Sequence, residues 1–164
     1  MTTITSFFQR GISALLLLTA AGSATAQPSG KPAGHRILNP AGLFNPNPYG
    51  FSHVSVVPPG KSLVFVAGQG GELEDGTLQN DFRLQLKQVF SNLRTALAAA
   101  GAGLNDVVKL TTLVTDHNEE KLKILVEECR LAWPDGNYPV NTLIPVPRLA
   151  LDGMLIEIDA TAIK

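Results

Sequence analysis

Hydrophobic and polar positions along this chain change period several times, and each change marks an element. Ser52–Val57 and Ser62–Ala67 are short β-branched and apolar runs around Pro58-Pro59-Gly60-Lys61, the pattern of two strands joined as a hairpin. The second run, Leu63-Val64-Phe65-Val66-Ala67, is apolar throughout, which predicts a central strand buried on both faces. From Asp81 the spacing becomes helical: Phe82, Leu86, Val89, Phe90, Leu93, Leu97 and Ala100 form one stripe. Asn80 or Asp81 can cap its start, and Gly101 stands where a left-handed terminator belongs. Val107–Thr115 reads as a strand. A second helix over about 118–132 follows, with Asp116 as its expected cap and Pro134-Asp135-Gly136 as its stop. Val140–Val146 and Met154–Ala160 close the chain as two strands, and Arg36–Leu38 is a further short one.

Strand, strand, helix, strand, helix, strand, strand is an α+β order. Two helices can cover one face of a mixed sheet and leave the other without cover from this chain. Alternation along the last two strands then assigns faces. Val140, Ile144 and Val146 are expected under the helices with Met154, Ile156 and Ile158. Asn141, Leu143, Leu155, Glu157 and Asp159 are expected on the open side. If these strands form a hairpin through Pro147–Gly153, Asn141 and Glu157 become diagonal neighbours within reach of one small ligand. The apolar Leu143 and Leu155 beside them favour cover by another copy of the chain.

The first 26 residues have a different character. Arg10 is their one charge; an apolar stretch from Ile12 to Ala21 follows, then Ala24-Thr25-Ala26 before Gln27. That is the layout of a signal peptide, and the apolar stretch is too short to span about 30 Å of hydrocarbon. The expected organisation is a signal peptide at 1–26, a Pro/Gly-rich arm at 27–50 and a domain at 51–164, with a periplasmic or secreted location. Removing Arg10 leaves 12 basic against 14 acidic residues, a formal charge of −2. No basic excess points to nucleic acid or to an anionic membrane surface. The single cysteine, Cys129, precludes an internal disulfide and falls in line with Leu122, Leu125 and Val126, so a buried, inert thiol is expected. His35, His53 and His117 are scattered and suggest no metal site. His53 is expected to face away from Phe51.

Gly68-Gln69, Asp81-Phe82 with Gln85, Gln88 and Asn92-Leu93, Ala99-Ala100-Gly101, and Asp106-Val107-Val108-Lys109 resemble in order and spacing the Rid (YjgF-type, reactive-intermediate deaminase) family. Phe51-Ser52-His53 and Ile156-Glu157-Ile158-Asp159-Ala160 extend the likeness over about residues 48–164. The resemblance implies a chorismate-mutase-like subunit, a homotrimer with ligand clefts between subunits, and hydrolysis of enamines or imines without cofactor or metal. On the same footing it implies that Glu157 positions the water and that the backbone amide of Gly68 supports the substrate. Three positions depart from the family pattern. Asn141, in Pro139-Val140-Asn141, stands where the family has a carboxylate-binding arginine, Phe51 replaces a tyrosine, and Leu143 replaces a common cysteine. An amide offers neutral donors in place of two charged ones, about 1 kcal/mol per bond against about 1.5–3. The expectation is therefore a small-metabolite site at Phe51, Gly68, Asn141, Leu143 and Glu157. It is expected to lack the standard 2-imino-acid deaminase activity, with an enamine or imine deaminase as the alternative.

Overall fold

The computed structural model describes residues 34–164; the expected signal peptide and the first residues of the arm lie outside them. Two helices are built on the predicted stripes. Helix α1 (Phe82–Ala99) starts where the Asp81 carboxylate accepts the amide of Leu84 at 2.9 Å, and Gly101 at φ 72° ends it. Helix α2 (Glu119–Ala132) is capped by Asn118, whose Oδ1 accepts the Lys121 amide at 2.9 Å. Asp116, the cap expected from sequence, instead takes a left-handed conformation at φ 45°, two residues earlier.

The strands are β1 (Arg36–Leu38), β2 (Val54–Val56), β3 (Leu63–Gly70), β4 (Val107–Thr115), β5 (Val140–Val146) and β6 (Ile156–Ile163). The fold is α+β, with a mixed four-stranded sheet in the order β3-β6-β4-β5 and a separate antiparallel β1-β2 pair. Two pairings and the place of one strand differ from those read off the sequence. The second and third strands do not form a hairpin: β2 pairs with β1, and β3 pairs with β6. Strand β3 is at an edge, with Phe65 75% exposed, so its apolar run does not mark burial on both faces. Strands β5 and β6 do not touch as partners. The crossover through α2 makes β5 parallel to β4, and β6 enters between β3 and β4, antiparallel to both.

Ile156, Ile158, Ala160 and Ala162 of β6, Leu110 and Val114 of β4 and Val66 of β3 form the sheet side of the core. Leu86, Val89, Phe90, Leu93 and Leu97 of α1, with Leu125 and Cys129 of α2, close over them. Each Val, Leu, Ile or Phe among them contributes about 1.5–3 kcal/mol relative to exposure, and the alanines less. Trp133, just past α2, packs edge-on to Phe90 at 5.8 Å and donates its indole N–H to the Leu104 carbonyl at 3.1 Å. Arg83 clips the helices together through Glu127 at 2.6 Å and Glu128 at 2.9 Å, and the guanidinium holds the Glu127 carboxyl below its ordinary range. Burial pushes the Cys129 thiol up to about 12, as an inert core cysteine requires.

One buried polar residue ties α1 to the entry of β6. The Gln85 amide donates to the carbonyls of Gln79 at 2.7 Å and Gly153 at 2.8 Å, and its oxygen accepts the Leu155 amide at 2.8 Å. A Cβ at Gly71 would lie 2.6 Å from that of Gln85, so the chain passes this close only as glycine. Gln85→Leu leaves three backbone groups without partners, and the expected loss is about 3 kcal/mol or more, read from the urea midpoint. A shift corresponding to less than about 1 kcal/mol would show that the three bonds do not hold this junction.

Candidate functional site

Glu157 sits between Ile156 and Ile158, both fully buried under the helices, so strand alternation forces its side chain onto the opposite face. Its partners across the sheet are Leu113 of β4 and Gly70 of β3. The β3–β6 register slips between Val66 and Gln69, which places Gly68 beneath the carboxylate. A Cβ there would lie 2.7 Å from the Glu157 carboxyl carbon and 2.9 Å from its Cγ. Glycine at 68 is thus what gives this side chain its room. Gly68 and Glu157, expected together, are together. The ion pairs among the described residues join Arg83 to Glu127 and Glu128 and Arg148 to Asp152; Glu157 is in none of them.

Asn141 and Leu143 lie elsewhere. Asn141 is level with Leu110 and Leu143 with Thr112, both β4 residues buried under the helices. Val140, Thr142 and Ile144 are level instead with Lys109, Thr111 and Leu113 on the open face. The faces expected for β5 are therefore reversed: Leu143 packs on the core, and Ile144 stands 40% exposed. The physical reason is the parallel pairing with β4, which sets the phase of β5 independently of β6. Asn141 and Glu157 consequently face apart within one chain, separated by β4. The Asn141 oxygen accepts the hydroxyl of Thr112, a fully buried residue, at 3.0 Å. Sequence reading passed over Thr112, although a polar residue between Leu110 and Val114, in the core phase of a strand, was the available signal.

Phe51 reaches the β5 edge through the Ser52–Val140 bridge, where the Ser52 amide donates to the Pro139 carbonyl at 3.1 Å. Its ring lies 5.9 Å from Phe44 and 5.5 Å from His53. His53 therefore does not turn away from Phe51, since residues two apart in extended chain share a side. It contacts the Phe44 carbonyl at 2.9 Å through Nε2. The residues fall into two groups: Gly68 with Glu157 on the open face, and Phe51, Asn141 and Leu143 along the β5 edge on the helix side.

The open face has a distinct chemistry. Phe65 and Leu63 are exposed there, with Ile144 and the half-buried Leu113, around the carboxylates of Glu157 and Asp159. Hollows of about 300 Å³ (Pro48, Tyr49, Leu122, Val126 and neighbours) and 360 Å³ (Asp81, Arg83, Glu120, Ile124 and neighbours) lie along α2 and include none of the five expected site residues. Among the described residues no three His, Cys, Asp or Glu side chains gather closely enough to share a metal ion.

The profile of the family described as endoribonuclease L-PSP matches residues 47–164, and relatives by sequence and structure carry the Rid and RutC names. The chain belongs to the Rid (L-PSP) family. It is 46% identical over 90 residues to the RutC family protein YjgH of Escherichia coli K12, covering 54% of this chain and 66% of that one. A 2-iminobutanoate/2-iminopropanoate deaminase of Salmonella typhimurium is 29% identical over 104 residues, 63% of this chain and 80% of the relative. The crystal structure of YyfB, a Rid-family protein of unknown function from Yersinia pestis, superposes with a TM-score of 0.75 at 34% identity. It covers 79% of this chain and 98% of that one. The mixed four-stranded sheet with two helices is thus the Rid subunit fold.

The Gly68–Glu157 packing is open to a double-mutant cycle. Gly68→Ala is expected to destabilise the parent on the order of 1 kcal/mol or more by overlap with the carboxylate, and to be nearly neutral beside Glu157→Ala. Equal costs in both backgrounds would mean that the glycine serves the bulge alone.

Proposed function

We propose that this protein binds a small, neutral or weakly polar metabolite in clefts between copies of itself, and is not a standard 2-imino-acid deaminase. The exposed Phe65 on the same face as Glu157 carries the reading. A bare aromatic beside Leu63 and Ile144 on a sheet face is the kind of patch that a second copy covers. Because Asn141 and Glu157 face apart in one chain, a shared site takes Asn141, Phe51 and Leu143 from the β5 edge of one copy. It takes Glu157 and Gly68 from the open face of the next. A homotrimer closes such head-to-tail contacts into a ring.

The ligand chemistry follows from charge. Asn141 brings no positive charge to the position where the family resemblance places an arginine, while the open face carries two carboxylates, Glu157 and Asp159, against the one cation placed there above, Lys109. A carboxylate-bearing imine gains less there and meets like charge. A polyanion such as RNA, which the family description evokes, meets the same obstacle on a chain of net charge −1. The location we propose is periplasmic or secreted, on the strength of Arg10, the Ile12–Ala21 stretch and Ala24-Thr25-Ala26.

One observation favours a second reading, an enamine or imine deaminase. Glu157 lies outside every ion pair described above and its carboxylate stands clear over Gly68, so it is free to orient a water.

Light scattering of the chain without residues 1–26 is expected to give a trimer, and Phe65→Asp to dissociate it; a monodisperse monomer of the parent removes the cleft altogether. In an assay of 2-iminopropanoate hydrolysis, the parent is expected to remain at background and Asn141→Arg to gain turnover. Parent turnover that Glu157→Gln abolishes would establish the deaminase reading instead.

A further inference from the structure

Asp75-Gly76, Asp135-Gly136 and Asp152-Gly153 are the Asp-Gly pairs of the described chain, each on an exposed turn. Such a pair can react with itself, because a glycine carries no Cβ to hinder its nitrogen. The nitrogen bonds to the aspartate Cγ and closes a five-membered succinimide. Its proton and the departing carboxyl oxygen leave as water. Water then reopens the ring. Attack at Cγ restores aspartate, whereas attack at the backbone carbonyl breaks the original C–N bond and leaves isoaspartate, with the chain running through Cβ and Cγ. Composition is unchanged, and water is the one co-reactant. The attacking nitrogen must shed its proton, so an acceptor on that N–H opposes the step, as does a carboxylate tied to another group. The structure separates the pairs on both counts. The Gly76 amide donates to the Leu73 carbonyl at 2.9 Å, and Asp75 Oδ1 accepts the Thr77 amide at 2.9 Å. The Gly136 amide donates to the Trp133 carbonyl at 3.1 Å. Asn137 holds both Asp135 oxygens, through its backbone amide at 3.3 Å and its side-chain NH₂ at 3.0 Å. At the remaining pair the exposed Gly153 amide donates to no group among the described residues. The Asp152 side chain, 94% exposed, is held by the Arg148 guanidinium at 2.9 Å, a surface pair and thus a weak restraint.

We infer that Asp152-Gly153 is a site of spontaneous isoaspartate formation, selected over the other two pairs by its unheld amide, and that the modification loosens the entry of β6. The second half follows from position. Isoaspartate lengthens the main chain by a methylene directly ahead of Gly153, whose carbonyl accepts the Gln85 amide at 2.8 Å. Gln85 is fully buried and also holds the Gln79 carbonyl and the Leu155 amide, so it cannot follow a displaced Gly153. The displaced bond leaves a buried NH₂ donor short of a partner. Leu155 is two residues before Glu157, so the disturbed junction is the one that sets the start of the strand carrying that carboxylate.

The purified protein is held at neutral pH and physiological temperature, sampled over time and digested with trypsin. The pairs fall in separate peptides, 62–83, 131–148 and 149–164. A product of unchanged mass and altered retention, resistant to endoproteinase Asp-N at position 152, is expected to accumulate first in 149–164. In urea, where the hydrogen bonds are gone, the three rates are expected to converge. Asp152→Glu, which keeps the charge but would need a six-membered ring, is expected to end the conversion at that position. Native accumulation at Asp75 or Asp135 as fast as at Asp152 overturns the inference. So does a lead of Asp152 that persists unchanged in urea, since the flanking sequence would then set it. The isomerised fraction, separated by ion exchange, is expected to melt below the parent; an equal Tm overturns the claim that the change loosens β6.

Discussion

Sliding β6 by one residue against β3 and β4 would carry Glu157 under the helices and turn Ile156 and Ile158 out to water. The register is held by the sum of both penalties, the desolvation of a carboxylate and the exposure of two large aliphatic side chains. The rest of the site geometry descends from that constraint. With Glu157 fixed on the open face, its carboxylate needs space where β3 passes beside it. The irregular β3–β6 register and the missing side chain at Gly68 supply that space. Gln85 anchors the same strand at its start, two residues before Glu157, by binding the backbone at Gly153 and Leu155, so the core helix fixes where β6 begins.

Much of this was legible in the sequence because it is local. The two helices declared themselves by a 3.6-residue period and by caps, and the Ile-Glu-Ile alternation alone put Glu157 opposite the core. What was not legible was partnership. Periodicity tells which residues share a face of one strand, and nothing in it says which strand lies alongside. Consecutive strands were read as hairpins, whereas β2 goes to β1, β3 goes to β6, and β5 takes its phase from β4 across the α2 crossover. Once the partner of β5 was wrong, Asn141 and Leu143 were assigned to the wrong face. Apolar runs misled in the same way. Leu63–Ala67 looked central and Val140, Ile144 and Val146 looked like core, yet these lie on an edge strand or on the face the helices leave open.

Those misreadings share a cause that bears on function. A pattern of apolar residues reports burial in the protein as it exists, and burial by another copy writes the same pattern as burial under a helix. Phe65, Leu63 and Ile144 violate the expected alternation only if one chain is the whole molecule. In a proposed assembly in which the open face meets a β5 edge, they become ordinary interior residues. The separation of Asn141 from Glu157 then changes from an obstacle to a consequence of the design, since two faces of one subunit serve two different clefts.

Thr112 is the complementary departure: a hydroxyl in the core phase of β4, where Leu110 and Val114 flank it. A polar group in such a place costs stability unless it is bonded, and it is bonded to Asn141, one of the residues expected from the sequence to line the site. A valine at 112 would pack equally well and would leave the Asn141 amide free to turn. The hydroxyl adds nothing to the hydrophobic core; its contact holds the Asn141 amide oxygen toward β4. Apolar residues in the open phase and a polar residue in the buried phase are thus the two places where the binary pattern breaks. Both breaks fall at the ends of the proposed cleft, where a site, rather than the fold, sets what a side chain must do.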